Sequence, residues 1–386
     1  MKKLKLVRPV FLLLFCLGLF GCKQDKQTIP NQKMDGSRSQ FKYAKGFSIV
    51  HNENFKVLTI TDPWPNASKQ YRYALVHRNL LPSITFDANL FDAIIPIPIE
   101  RMVVTSTTHI PALGLLEEET SLIGFPGTEY ISSPKTRKLI DEGNISELGK
   151  NENLNTEILL ELQPDVVIGF GIDGNNKTFE TIKKAGIPVI YNGDWVESSP
   201  LAKAEWIKFF GVLYNKQKAA DSIFNQIESD YLKAKELAAN VKEQPSVLSG
   251  AMYKDVWYLP SGTSPEAQLL NDANVNYLWK DTQTSGSLAL SFESVFSKAK
   301  SADIWLSPSY YNSMEALREA NPHYTEFDAY INKKVYSFVN TMGPTGGVTY
   351  YELGTSRPDL VLKDLVKICH PELLEDYQPH FFKPLE

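Results

Sequence analysis

Cysteine is scarce in this chain: three residues in 386, at positions 16, 22 and 369. Two of them lie in the first 22 residues, so only Cys369 is left for the body and no intrachain disulfide framework is possible there. No HExxH, CxxC, GxSxG or Walker-type phosphate loop occurs. Zincin, dithiol, serine-hydrolase and nucleotide-cradling chemistry therefore lack their usual motifs. Histidine is rare, with six residues at 51, 77, 109, 323, 370 and 380. A bare transition-metal site between two lobes would draw several histidines and carboxylates from both sides. Excess positive charge is also missing: 40 Lys plus Arg against 45 Asp plus Glu leave a net charge of −5, with no global pull toward nucleic acid.

Long apolar runs are confined to the start. Lys2, Lys3, Lys5 and Arg8 precede an apolar stretch from Val10 to Phe20. That stretch is shorter than the roughly 20 residues a membrane span needs, and it fits the apolar region of a secretory signal. It ends Leu19-Phe20-Gly21-Cys22, which resembles a bacterial lipoprotein box. Cys22 is then the lipidation site and the new N-terminus. Removal of residues 1–21 takes away four basic residues and no acidic one, leaving −9. Residues 22–40 are polar and read as a flexible tether. A later apolar stretch, Ile94–Ile99, is broken by Pro96 and Pro98.

What remains is globular: 43% hydrophobic and 11% aromatic residues, enough for two or three domains at about 150 residues each. Residues 41–99 read as a β-rich N-terminal extension of short strands, such as Phe47–Val50 and Lys56–Thr61, with Asn and Pro turns between them. From residue 101 short apolar strands alternate with helices, which predicts an α/β fold with a mainly parallel sheet and flanking helices. Between 216 and 240 Ala220, Phe224, Ile227, Tyr231 and Ala234 recur at three- and four-residue spacing without Gly or Pro. A helix of that length spans a whole domain, so it is either a bridge between domains or a long surface helix. After it the α/β pattern restarts. The expected division is an N-terminal lobe 100–214, a bridging helix 215–242, a C-terminal lobe 243–375 and a tail 376–386.

Two segments echo each other, 155–168 and 291–304. Each is a helix leading to an Asp that opens a strand, and each helix carries a Glu near its start, Glu157 and Glu293. Thr156 and Ser291 are suitable N-cap residues, and a first-turn Glu is favoured by the helix dipole alone. Their matching placement in two lobes is what singles them out.

The ordered series RMVVTSTTHIPALGLL (101–116), LIGFPG (122–127), ELGKNENLNTEILLELQPDVVIG (147–169), AGIPVIYN (185–192), GTSPEAQLLNDANVNYLW (262–279), LSFESVFSKAKSADIWLS (290–307) and RPDLVLKDLVKICHPELL (357–374) resembles the iron-siderophore/cobalamin class of ABC-transporter substrate-binding lipoproteins. The resemblance implies two α/β lobes joined by one stiff helix, with ligand held in the cleft between them. It also implies a monomer without cofactor or catalytic residues, exported and lipid-anchored in the cell envelope, on the periplasmic side. Its partners would be a cobalamin or iron chelate (siderophore or haem), an ABC permease and its ATPase. Glu157 and Glu293 map onto the acidic residues that pair with permease arginines. Residues 41–99 lie outside the family pattern.

Ligands of open parallel sheets meet the loops at the carboxyl ends of the strands. Those loops here supply Thr107, His109, Phe125, Tyr130, Phe170 and Trp195 in the first lobe, and Tyr253, Tyr310, Tyr311 and Met342 in the second. Aromatic residues dominate, which suits a large planar ligand. Thr341–Gly347, with three glycines, reads either as a mobile cleft loop or as a plain turn. The competing classes are an exported α/β enzyme and a surface capture lipoprotein on the same scaffold.

Overall fold

A computed structural model of the chain describes residues 27–29, 36–87, 89–151, 153–284 and 286–386. The expected signal segment, Cys22 and most of the tether lie outside the described residues. Gln27–Ile29 pairs in parallel with Ile84–Phe86, and Ser37–Arg38 pairs with His51 and Val50. Sheet structure therefore begins inside the segment read as a tether.

The body is α/β, with two lobes. The first is built on a fully parallel five-stranded sheet in the order Ser146–Glu147, Leu122–Phe125, Met102–Val104, Val166–Phe170, Val189–Asn192. Apart from the edge strand Ser146–Glu147, its strands are buried on both faces, which is why they read as unbroken apolar runs. The second lobe orders Asn276–Tyr277, Ser246–Ser249, Ile304–Leu306 and Val335–Ser337 in parallel. Lys383–Pro384 closes that sheet antiparallel to Val335–Ser337, so the C-terminal tail belongs to the sheet. Asp364 holds the tail there, its carboxylate accepting from the backbone N–H groups of His380, Phe381 and Phe382.

The Gln217–Ala239 helix has 23 residues, about 35 Å. Ala220, Phe224 and Ile227 belong to the first-lobe core, while Tyr231, Ala234 and Ala238 belong to the second. One apolar stripe thus passes from one core to the other, and the helix is a bridge.

The chain after the bridging helix forms two successive strands rather than one. Gly250, at φ 75°, separates Ser246–Ser249 from Ala251–Tyr253, and the latter joins an antiparallel sheet with Val256–Pro260 and Ser287–Leu290. A Cβ at Gly250 would strike the Tyr258 carbonyl oxygen, so only glycine makes the turn.

The N-terminal extension is a five-stranded sheet, Ser37–Arg38, Phe47–His51, Phe55–Ile60, Tyr71–His77 and Ala93–Ile97. The last pair is parallel, and Ile94–Ile97, set apart above by its prolines, is an edge strand where proline is tolerated. One face (Phe47, Ile49, Leu58, Ile60, Tyr73, Leu75) merges with the first-lobe core. Two buried carboxylates anchor the segment that leads into it. Glu205 accepts from the backbone N–H groups of Lys42, Tyr43 and Ala44 at 3.0, 2.7 and 2.9 Å. Glu197 accepts from those of Lys45 and Gly46 and from the Trp206 indole.

Candidate functional site

Both parallel sheets change strand order part-way along, and ligands of such sheets gather at that switch point. In the second lobe the switch lies between Ser246–Ser249 and Ile304–Leu306. A cavity of about 790 Å³ opens there, lined by Ser249, Gly250, Leu306 and Ser307. Ser307 and Ser309 adopt left-handed φ of 51° and 54° as the chain leaves the strand. Such non-glycine positions are uncommon and favour functional turns. This turn delivers Tyr310 to the cavity edge, its ring centroid 6.5 Å from that of Tyr351. Tyr253 and Tyr258 come from the antiparallel sheet, and Phe338 stacks on Tyr350 at 4.2 Å and 9°. Leu270, Val361, Leu365 and Phe382 form an apolar floor. Burial and a hydrogen bond to Tyr310 push the Tyr351 hydroxyl pKa upward, so it stays a neutral phenol.

The first lobe supplies a narrower wall: Trp195, Val196, Glu197, Ser198 and Lys203, joined by Pro65 of the extension. Trp195 packs on Phe170 at 5.7 Å, and its indole N–H is buried without an acceptor among the described residues. Lys203 forms no ion pair among the described residues. Asp194, just behind this wall, is pushed up to a pKa of about 6 by burial, which the Lys203 charge partly offsets.

Three of the ten expected ligand residues therefore share the cavity: Trp195, Tyr253 and Tyr310. Phe170 stands behind Trp195, its backbone N–H on Thr105 Oγ1 at 2.9 Å. Phe125 is buried in the first-lobe core. His109 is 1% exposed, packed beside Phe210, and burial lowers its pKa to about 3, so it is a neutral core histidine. Thr107 opens the short turn into the Ile110–Leu115 helix. Tyr311 turns onto Tyr324 in the second-lobe core. Tyr130 and Met342 are exposed but outside the lining.

The Thr341–Gly347 loop is pinned across the lobes. Thr345 Oγ1 donates to the Glu129 carbonyl at 2.7 Å and Ser132 Oγ to that of Gly347 at 2.8 Å. A Cβ at Gly347 would strike the Tyr130 carbonyl, so glycine permits the close approach. Beside it, buried Glu352 of the second lobe accepts from the backbone N–H groups of Ser132 and Ser133, where the Pro134–Asp141 helix begins in the first.

Sequence reasoning passed over Pro65, Lys203, Tyr258 and Tyr351. Tyr258 alternates outward between buried Trp257 and Leu259, which the unbroken apolar run Val256–Pro260 does not announce. Pro65 had no local signal either, because its place depends on the extension docking onto the lobe.

Glu157 and Glu293 are both exposed in the first turns of Thr156–Leu162 and Phe292–Ala299, and neither is in an ion pair among the described residues. Asn155, not Thr156, caps the first helix, accepting from Ile158 N–H at 3.2 Å; Ser291 caps the second. Hydrogen bonds in that cap lower the Glu293 pKa. Among the described residues no group of three or more His, Cys, Asp or Glu is placed to hold a metal ion.

Residues 102–340 match the family described as periplasmic binding protein. The chain belongs to this family. An uncharacterized lipoprotein of Methanocaldococcus jannaschii is 30% identical over 299 residues, covering 75% of this chain and 69% of that protein. A second uncharacterized lipoprotein of the same organism is 23% identical and covers 98% of this chain and all of its own length. Among solved structures, a periplasmic heme-binding protein from Pseudomonas aeruginosa superposes with a TM-score of 0.56 at 17% identity, covering 75% of this chain and 98% of that one. A possible iron-binding (periplasmic solute-binding) protein from Staphylococcus epidermidis gives 0.54 at 18%, covering 71% and 99%. At such identities the likeness is one of fold. The family match begins at residue 102, so the extension stands outside it.

Proposed function

We propose that this chain is the substrate-binding component of an ABC importer, capturing a cobalamin or iron chelate in the inter-lobe cavity and passing it to a membrane permease and its ATPase. The protein performs no chemistry on the ligand. One observation carries the reading: a cavity of about 790 Å³ at the second-lobe strand ends, walled by tyrosines on one side and Trp195 on the other. Flat aromatic walls bury the faces of a planar or macrocyclic chelate, and the few polar groups orient it. Glu157 and Glu293 are the docking residues, one per lobe, free to meet arginines on the permease. Cys22 carries the lipid anchor, in keeping with relatives named as lipoproteins. The chain is then exported and held as a monomer at the periplasmic side of the envelope.

The test is a tryptophan-fluorescence titration of the full chain in detergent with haemin, cyanocobalamin and a ferric-siderophore panel, corrected for ligand absorption. Saturable submicromolar binding of one chelate is expected. Absence of saturable binding across the panel overturns the reading.

A further inference from the structure

The first-lobe sheet has its own switch point, between Met102–Val104 and Val166–Phe170. The turn between Phe55–Ile60 and Tyr71–His77 of the extension covers the strand ends beside it, those of Val166–Phe170 and Val189–Asn192. Trp64 of that turn is buried, its ring 5.1 Å from Tyr191 and 5.9 Å from Tyr71. It lies over the chain that leaves Val166–Phe170: a Cβ would meet it at 3.5 Å from Gly171 and 3.3 Å from Gly174. The neighbouring Asp62 carbonyl lies so close to Gly193, after the next strand, that a Cβ there would strike it. Pro65, next to Trp64, then faces the cavity beside Trp195 and Lys203.

We infer that this turn of the N-terminal extension is the ligand-selecting wall of the cleft: Trp64 caps the ends of Val166–Phe170 and Val189–Asn192, and Pro65 with Trp195 and Lys203 faces a flat chelate bearing anionic oxygens along one edge. The inference rests on the importer reading above and assigns a role to a segment that the family pattern does not contain. Its chemistry follows from the unpaired cation. Lys203 lines the cavity and has no ion pair among the described residues. Hydrogen bonds from such a cation to anionic oxygens are the strong ones, so the ligand is the expected source of acceptors. The carboxylate on the same wall, Glu197, is already engaged by Lys45, Gly46 and Trp206. With those first-lobe strand ends capped, the body of the ligand lies against Tyr253, Tyr310 and Tyr351.

The experiment compares haemin (flat, two carboxylates), its dimethyl ester (flat, no anionic edge) and cyanocobalamin (bulky) on the full chain in detergent. The variants are Pro65→Trp, which adds bulk to the wall, and Lys203→Gln, which removes its charge. The melting temperature verifies that both fold. Wild type is expected to prefer haemin to its ester by at least tenfold. Pro65→Trp is expected to weaken haemin at least tenfold, and Lys203→Gln to erase the preference over the ester. Unchanged haemin affinity in both folded variants overturns the inference and leaves the importer reading standing. Tighter wild-type binding of cyanocobalamin than of haemin overturns the inference likewise. A ferric siderophore that binds while none of these three probes does also removes the inference alone. Failure of every chelate removes both.

Discussion

The two lobes share a plan and differ at their strand ends. Each has a parallel sheet with a switch point, and each carries a helix–strand unit whose helix begins with an exposed first-turn glutamate. In the second lobe the crevice is open, and Tyr253, Tyr258, Tyr310 and Tyr351 stand around it. In the first lobe Trp64 of the extension caps the ends of Val166–Phe170 and Val189–Asn192, and the Thr349–Leu353 helix of the second lobe packs on Thr107–His109. The same strand-end geometry thus lines a cavity in one lobe and a covered seam in the other. What decides between them is chain from elsewhere in the sequence.

Three experiments break or sharpen this contrast. The largest effect is expected where the lobes are alike. Glu157→Lys combined with Glu293→Lys reverses the charge at both proposed docking positions, neither of which lines the cavity. Chelate uptake in cells should be abolished while the affinity of the purified protein stays within about twofold of wild type. Retained uptake removes the docking role and with it the functional equivalence of the lobes.

The next effect comes from loosening the cover on the first lobe. Glu205→Ala leaves the backbone N–H groups of Lys42, Tyr43 and Ala44 without their carboxylate, and Lys208 without its 3.0 Å ion pair. Breaking a buried, charged set in this way costs about 3–5 kcal/mol. Denaturant unfolding should report a loss of that size. A loss below about 1 kcal/mol means that the 42–44 segment is not held by this carboxylate.

The smallest effect concerns Asp194, behind the first-lobe wall. Its pKa in the folded state is raised to about 6 from an ordinary 3.8. Between those values the folded chain binds more protons than the unfolded one, so stability is lost as pH rises through that window. Asp194→Asn should flatten that slope and be the more stable protein at pH 7.5, by an amount of order 1–3 kcal/mol. A wild-type slope identical to that of the variant between pH 4 and 6.5 shows that the carboxyl is not desolvated there.

Most elements were legible because their causes are local. Phe292–Ala299 and Met314–Ala320 have the bounds that capping serines and apolar spacing predict, since a cap and its helix lie within one turn. The break at Gly250 was not legible, because the residue that demands glycine, Tyr258, lies on another strand. Of the cleft loops, Tyr253 and Tyr310 reach the cavity while Tyr311, one residue further on, turns into the core. Adjacent positions on one loop differ in that way only through what packs against them.

Alone, the amino-acid sequence determined that the chain is α/β, that an apolar stripe runs the length of the 217–239 helix, and that two helices begin with paired glutamates. These follow from periodicity and capping, which act over a few residues. Tertiary structure alone decided that the stripe joins two cores, that His109 is a neutral core residue, and that strand ends are covered by the extension in one lobe and open onto a cavity in the other. Burial and desolvation depend on which distant segment arrives at a surface, and no local pattern records that arrival.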